Sequence, residues 1–174
     1  ESEKIQELIK IRESDITEIF ANIISAIKYL HSKSVIHRDL KLENIMINPN
    51  TKSIKIIDYG FSIISDNMNW STICGSFEYL SPEILQDIIK HNNRQDQDIV
   101  YSKYSIQSEV WSIGVILYGM IFCRLPFYHQ SKIKLFNLIL NADISLSPES
   151  VIIDENLKNL LLLMLDKNPQ NRIE

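Results

Sequence analysis

Two hydrophobic periods divide this chain. Between Ser14 and Lys33, the residues Ile16, Ile19, Phe20, Ile23, Ile24, Ile27 and Leu30 recur at steps of three and four. That spacing lines one face of an amphipathic helix, with Ser14 or Asp15 as its candidate N-cap. Residues 44–57 switch to short β-branched runs, Ile45-Met46-Ile47 and Ile54-Lys55-Ile56-Ile57, joined by the turn-rich stretch from Asn48 to Ser53. A small hairpin is expected there. From Gly60 to Ser81 no period is sustained, which predicts a long surface loop, a feature that in a compact domain is usually functional. Helical patterns return at 82–90, 108–122, 131–141 and 154–166, and the polar insert from His91 to Asp98 reads as a loop. The most apolar run, Val110 to Cys123, lies between Glu109 and Arg124. It is too short to span a bilayer and predicts a buried core helix. No internal repeat is present. The pattern gives a mostly helical architecture with a two-stranded patch near residue 50.

Composition narrows the classes. With 174 residues, 45% hydrophobic and 23% charged, the chain suits one globular domain or a large piece of one. The formal charge of -4, with scattered Lys and Arg, argues against a nucleic-acid partner. Cys74 and Cys123 form no disulfide framework and no metal-ligand spacing, which fits a reducing, cytoplasmic setting. The chain begins at Glu1 without a methionine or a signal-peptide pattern and reads as an excerpt from something longer. Four glycines in 174 residues is well under the usual share of roughly 7%. None precedes position 60, so a glycine-rich phosphate loop is absent from this sequence.

The chemistry concentrates in HRDLKLEN, residues 37–44. Phosphoryl transfer to a hydroxyl needs a carboxylate to position and accept the proton, a cation near the phosphoryl group, and oxygen ligands that hold Mg²⁺. Asp39 suits the base, Lys41 the cation and Asn44 a neutral ligand. Asp58, in Asp58-Tyr59-Gly60, follows the hairpin that would return the chain beside residue 44, and it supplies the remaining carboxylate. A bare HRD is a weak signal. Seven positions together (His37, Arg38, Asp39, Lys41, Asn44, Asp58 and Gly60), at about one in twenty each, are a coincidence on the order of one in a billion.

From residue 1 to 174 the chain resembles the C-terminal lobe of a eukaryotic protein kinase: an α+β kinase-like fold of which this segment is the mostly helical lobe with a small hairpin. The resemblance makes residues 37–44 the catalytic loop, with Lys41 marking the Ser/Thr type, and residues 58–60 the metal motif, with Tyr59 where the family has Phe. Residues 58–83 become the activation segment and 84–174 the helical subdomain. Ser81-Pro82-Glu83 closes the activation segment, with Glu83 paired to Arg172 of Asn168-Pro169-Gln170-Asn171-Arg172.

TICGSFEYLSPE, from Thr72 to Glu83, resembles the activation-loop pattern of second-messenger and energy-sensing kinases. Thr72 falls at the phosphorylation site, and Arg38 would pair with that phosphate. Ser76 matches a hydroxyl that contacts Asp39 and Lys41. The resemblance puts Met46 beneath adenine and groups it with Glu43, Asn44 and Asp58 on the nucleotide side. Glu43 also matches the acid that selects arginine in the substrate, and Glu3 a second such acid. Three departures stand out: Phe77 replaces a proline, Gly119 an acid, and Glu109 an aspartate that accepts hydrogen bonds from the catalytic-loop backbone. The extra methylene of Glu109 keeps the charge and lengthens the reach.

Each residue also has a plainer reading. His37 suits a satisfied core histidine and is counted as structural support. Arg38 and Asp39 could be a surface pair. Tyr59, Trp111 and Met46 read as core before they read as ligand contacts. Ser71 competes with Thr72 as the phosphosite. Cys74 reads as an idle or packed thiol, and His129 as a solvated loop residue. For Asp39, Lys41, Asn44 and Asp58 as a set, the functional reading prevails.

The resemblance implies a protein Ser/Thr kinase using ATP and Mg²⁺ on a protein substrate, with a basic consensus as the expected preference. The TICGS and SPEIL stretches point to the calcium- or calmodulin-regulated group. The alternative is a pseudokinase or docking module, motivated by Glu109, Phe77 and the insert. The lysine that grips the phosphates, its glutamate partner and the glycine-rich cover would belong to an N-terminal lobe preceding Glu1. The segment alone is therefore expected to be inactive and to expose the apolar surface which that lobe would cover.

Overall fold

Helix α1, Glu13–Ser32, sets one wall of the core. Ile19, Phe20, Ile23 and Ile27 are buried along it, and Ile16 and Leu30 pack at the edge of the same stripe. Ile24, expected on that stripe, is 37% exposed. Ser14 and Asp15 lie within the helix and do not cap it. The computed structural model describes residues 13–64, 71–92, 101–146 and 154–173; for Glu13, Ser14, Ser71, Thr72, His91, Asn92 and Tyr101 it gives the backbone alone. Glu3 and most of the polar insert, residues 93–98, lie outside the described residues.

After α1 come β1 (Val35–Ile36), β2 (Ile45–Ile47), β3 (Ile54–Ile56), β4 (Ile63–Ile64) and β5 (Ser71–Thr72). The expected hairpin is β2–β3, with Ile45 opposite Ile56, Met46 opposite Lys55 and Ile47 opposite Ile54. Its turn is held by Asn48, whose Oδ1 accepts from the backbone N–H of Asn50 (2.9 Å) and Thr51 (3.2 Å). The turn docks on α1: Lys52 Nζ lies 3.1 Å from Asp15 Oδ2, and Asn22 Nδ2 donates to the Lys52 carbonyl. Alternation along β2 decides the side chains' fates. Ile45 faces the core, whereas Met46 points away and is 58% exposed. Tyr59 is also exposed, at 46%. Both therefore depart from the core reading, which holds for the fully buried Trp111.

The remaining elements are α2 (Pro82–Asn92), β6 (Tyr101–Ser102), α3 (Ile106–Phe122), α4 (Lys132–Asn141) and α5 (Glu155–Met164). Helix α3 is the apolar run singled out in the sequence. It starts two residues earlier than its periodicity suggests because Ser105 and Ser108 form a reciprocal capping box. From Ser108 to Phe122 every residue except Ser112 is buried. Close packing on α5 requires Gly114, where a Cβ would come within 2.9 Å of Leu165 Cδ2 and 3.0 Å of Met164 Cβ. Each fully buried Ile or Leu here contributes about 1.5–3 kcal/mol, far more than an exposed ion pair. The core around α3 is thus the platform on which the loops rest.

Two short antiparallel ladders each take one strand from the stretch expected as loop, residues 60–81. Strand β1 pairs with β4 (Val35 with Ile64, Ile36 with Ile63), and β5 pairs with β6 (Ser71 with Ser102, Thr72 with Tyr101). No helix among the described residues is long and apolar enough to cross a membrane.

Candidate active site

Strand β1 delivers the chain to His37, Arg38 and Asp39, and Arg38 takes a left-handed conformation with φ of 69°. That geometry is costly for an arginine and persists only where its surroundings fix it. Glu109 supplies the fixing. Its Oε1 accepts from the backbone N–H of His37 (2.6 Å) and of Arg38 (2.8 Å), while Oε2 lies 2.7 Å from His31 Nε2. The carboxylate is buried, in the first turn of α3, where unpaired backbone N–H groups favour negative charge. The longer side chain that replaces aspartate reaches both loop amides and adds a third partner. His37 is fully buried; its Nε2 meets the Ile57 carbonyl at 3.1 Å and its ring stands edge-on to Tyr59. This is the supporting place expected for it.

Asp39, 4% exposed, sits in a ring of donors. Oδ1 accepts from Ser76 N–H (3.1 Å) and Ser76 Oγ (3.3 Å). Oδ2 lies 2.8 Å from Lys41 Nζ and 3.3 Å from Asn44 Nδ2. Lys41 Nζ also donates to Ser76 Oγ at 3.1 Å. A buried carboxylate without such partners would cost several kcal/mol, so the ring offsets its burial and holds it in one orientation. The surface-pair reading of Arg38 and Asp39 does not hold, since Asp39 is paired with Lys41 in the interior.

Asn44 is buried at the end of the 3₁₀ turn Leu42–Asn44, and its Nδ2 donates to the Asp39 carbonyl at 2.8 Å. That fixes the orientation of the amide. The Asn44 carbonyl accepts from Ile57 N–H at 2.9 Å, which brings the chain back to Asp58 beside it. Asp58 is exposed, has φ of 65°, and accepts from Gly60 N–H at 3.4 Å. Among the described residues no group of three or more His, Cys, Asp or Glu is placed to hold a metal. An amide and one carboxylate nonetheless fit Mg²⁺, which keeps waters and takes the rest of its ligands from phosphate oxygens.

The chain after β5 returns to this centre at Gly75. Its φ is 97°, and a Cβ would meet the Arg38 carbonyl at 2.8 Å, so only glycine lets Ser76 reach Asp39. Tyr104 clamps the preceding residue: its hydroxyl donates to the Cys74 carbonyl (2.7 Å) and accepts from Cys74 N–H (3.0 Å). Burial pushes the Tyr104 phenol and the Cys74 thiol up from their ordinary values. The Arg38 guanidinium lies 5.3 Å from the Tyr104 ring and its Nε donates to the Phe61 carbonyl. Thr72 lies in β5, and its side chain is outside the described residues. At the far end Glu83 and Arg172 form a bidentate pair, 2.7 Å on each arm. The Arg172 side chain is fully buried and also donates to the carbonyls of Asp166 and Gln107.

The structure thus brings together His37, Asp39, Lys41, Asn44, Ser76 and Glu109, and it pairs Glu83 with Arg172. Glu43 and Met46 lie on the exposed side of the same loop and hairpin. Sequence reasoning missed His31 and Tyr104. Nothing local marks either one, because their partners are 78 and 30 residues away.

The protein kinase domain profile matches residues 2–174. The human RAC-beta serine/threonine-protein kinase is 40% identical over 159 residues, covering 88% of this chain and 28% of that protein. The Mus musculus RAC-beta serine/threonine-protein kinase is 39% identical, and the Xenopus laevis RAC-beta serine/threonine-protein kinase A is 38% identical, over the same shares. The chain spans a little over a quarter of the length of these relatives. By the extent of that match and the motifs it contains, the chain belongs to the protein kinase domain family.

Proposed function

We propose that this chain is the catalytic-loop half of an ATP- and Mg²⁺-dependent protein Ser/Thr kinase. The observation that carries the reading is Asp39, buried yet held in one orientation by Ser76, Lys41 and Asn44. In this reading the Asp39 carboxylate orients the substrate hydroxyl and accepts its proton as the oxygen attacks phosphorus. Lys41 neutralises charge on the transferring phosphoryl group, and Ser76 keeps the carboxylate and the ammonium in register. Asn44 and Asp58 would hold Mg²⁺, which when bound stabilises charge on the phosphate oxygens. Met46, exposed on the hairpin, would lie beneath adenine. Glu43 would face nucleotide or a substrate arginine, and Arg38 would pair with a phosphate on Thr72.

A phosphate-gripping wall contributed by a lobe outside residues 1–174 accords with the exposed apolar set Met46, Tyr59, Phe61 and Ile64 next to the site. The partial-domain division, with catalytic loop 37–44, metal motif 58–60, activation segment 58–83 and helical subdomain 84–174, belongs to the same proposal. The TICGS and SPEIL stretches support a calcium- or calmodulin-regulated subgroup, whereas the RAC-beta relatives support a Ser/Thr kinase without that subgroup. Two unpaired cysteines support a cytoplasmic setting. A docking module without transfer loses the support of Glu109, since that residue makes the backbone contacts of an aspartate there.

The test is γ-phosphate transfer by the full-length protein to a basic Ser/Thr peptide, titrated with Mg²⁺. N44A and D58A are each expected to raise the Mg²⁺ requirement by roughly tenfold or more. A requirement unchanged in both variants would overturn the metal assignment. Folded protein that transfers to no peptide would overturn the kinase reading.

A further inference from the structure

Phe77 stands where the activation-loop pattern that this chain resembles has a proline, and it directly follows Ser76, which contacts Asp39. Consecutive Cα atoms are about 3.8 Å apart. The Phe77 backbone therefore lies one residue from the group that holds Asp39, close enough to meet a residue flanking an acceptor hydroxyl brought there. The Phe77 ring does not stand alone. Phe136 of α4 packs against it, with centroids 5.5 Å apart and planes inclined at 55°. Lys132, the first residue of α4, holds its ammonium 4.5 Å from the Phe77 centroid. Lys132 is exposed, and among the described residues no carboxylate pairs with it.

The same 3₁₀ turn, Phe77–Tyr79, carries an acid, Glu78, in its first turn. Burial pushes the Tyr79 phenol up, Glu43 and Glu78 add to that, and Glu43 is its side-chain hydrogen-bond partner. An ammonium thus rests on the Phe77 ring, one residue from the Ser76 that contacts Asp39. An ammonium resting on aromatic faces is partly stripped of water yet keeps donors to offer, so a carboxylate brought to it gains more than at an open surface.

We propose that Lys132, seated on the Phe77 ring that packs against Phe136, is a specificity-determining residue that selects an acidic side chain adjoining the acceptor Ser or Thr of a protein substrate. The proposal rests on the kinase reading and adds a substrate class to it: peptides with an acid next to the acceptor. The ring pair supplies an apolar floor that holds the ammonium at a fixed place. The charge of Lys132, and not its bulk, makes the choice.

The test uses the full-length protein and a peptide set identical except for Asp, Ala or Lys placed just before or just after the acceptor. Transfer is measured as kcat/KM, and binding of fluorescein-labelled copies by anisotropy. For one of the two positions the Asp peptide is expected to exceed the Lys peptide on the order of fivefold or more, the size of a single charge contact. K132R keeps that ratio, K132A flattens it, and K132E inverts it. A ratio near one in the native protein at both positions, or a ratio that survives K132E, overturns the proposal. If no peptide is phosphorylated, the kinase reading falls, and the binding ratios still decide the charge preference. No binding of any peptide overturns both.

Discussion

At the scale of single residues, Glu109 turns the most conspicuous departure into a fitted part. Its two oxygens serve three donors: His37 N–H, Arg38 N–H and the His31 ring. Removing them in E109A leaves two backbone N–H groups without an acceptor, at a cost of about 2–4 kcal/mol in a denaturation midpoint. E109D, the family's usual residue, is expected to give no gain in phosphate transfer, because the site is built around the longer acid. A tenfold gain would contradict that fit. Lys167 makes a separate prediction. Burial beside Trp111 and Phe127 lowers its pKa from the ordinary 10.5 to about 8. Between about pH 8 and 10.5 the unfolded chain therefore holds a proton that the folded chain has lost, and stability contributed at Lys167 rises with pH across that window. Urea unfolding of native protein and K167M at pH 8 and pH 10 reads the effect as a difference that moves in favour of the native protein. The comparison cancels Tyr79 and Tyr104, whose raised pKa values lower stability above about pH 10 in both proteins.

At the scale of elements, α3 joins the catalytic loop to the helical core, since one helix carries Glu109 at its start and Gly114 in its buried middle. A G114V substitution drives two branches into Leu165 and Met164, and by overpacking it should cost about 1–3 kcal/mol or more in thermal or urea unfolding. The Glu83–Arg172 pair fastens the end of the activation segment to the loop after α5. E83A strands a fully buried guanidinium and is expected to cost about 3–5 kcal/mol, measured the same way. An effect under 1 kcal/mol would mean that the Asp166 and Gln107 carbonyls suffice. Elements with a long period were legible in the sequence: α1 and α3 from their apolar stripes, and β2–β3 from β-branched runs around a turn. The ladders β1–β4 and β5–β6 were not, because two-residue strands contain no period and their pairing is decided by tertiary packing. Met46 shows the same limit in miniature. Its apolar character suggested core, but alternation along β2 faces it outward.

At the scale of the whole molecule, the helical core is a platform that gathers loops from distant parts of the chain around one carboxylate. Motif spacing singled out Asp39, Lys41, Asn44 and Asp58, and the structure gathers Lys41 and Asn44 around the Asp39 carboxylate. The partners that hold them were less so: His31 and Tyr104 act through contacts that sequence separation hides. Met46, Tyr59, Phe61 and Ile64, around the hairpin and the stretch that follows it, remain exposed at the surface. The central claim is that Asp39 acts as the base. Transfer of labelled γ-phosphate from ATP to a Ser/Thr peptide should therefore be compared in the full-length protein and in folded D39N with Mg²⁺ present. The account predicts that the native protein labels the peptide and that D39N does so roughly 10²- to 10⁴-fold more slowly. Equal labelling by the two proteins would contradict it.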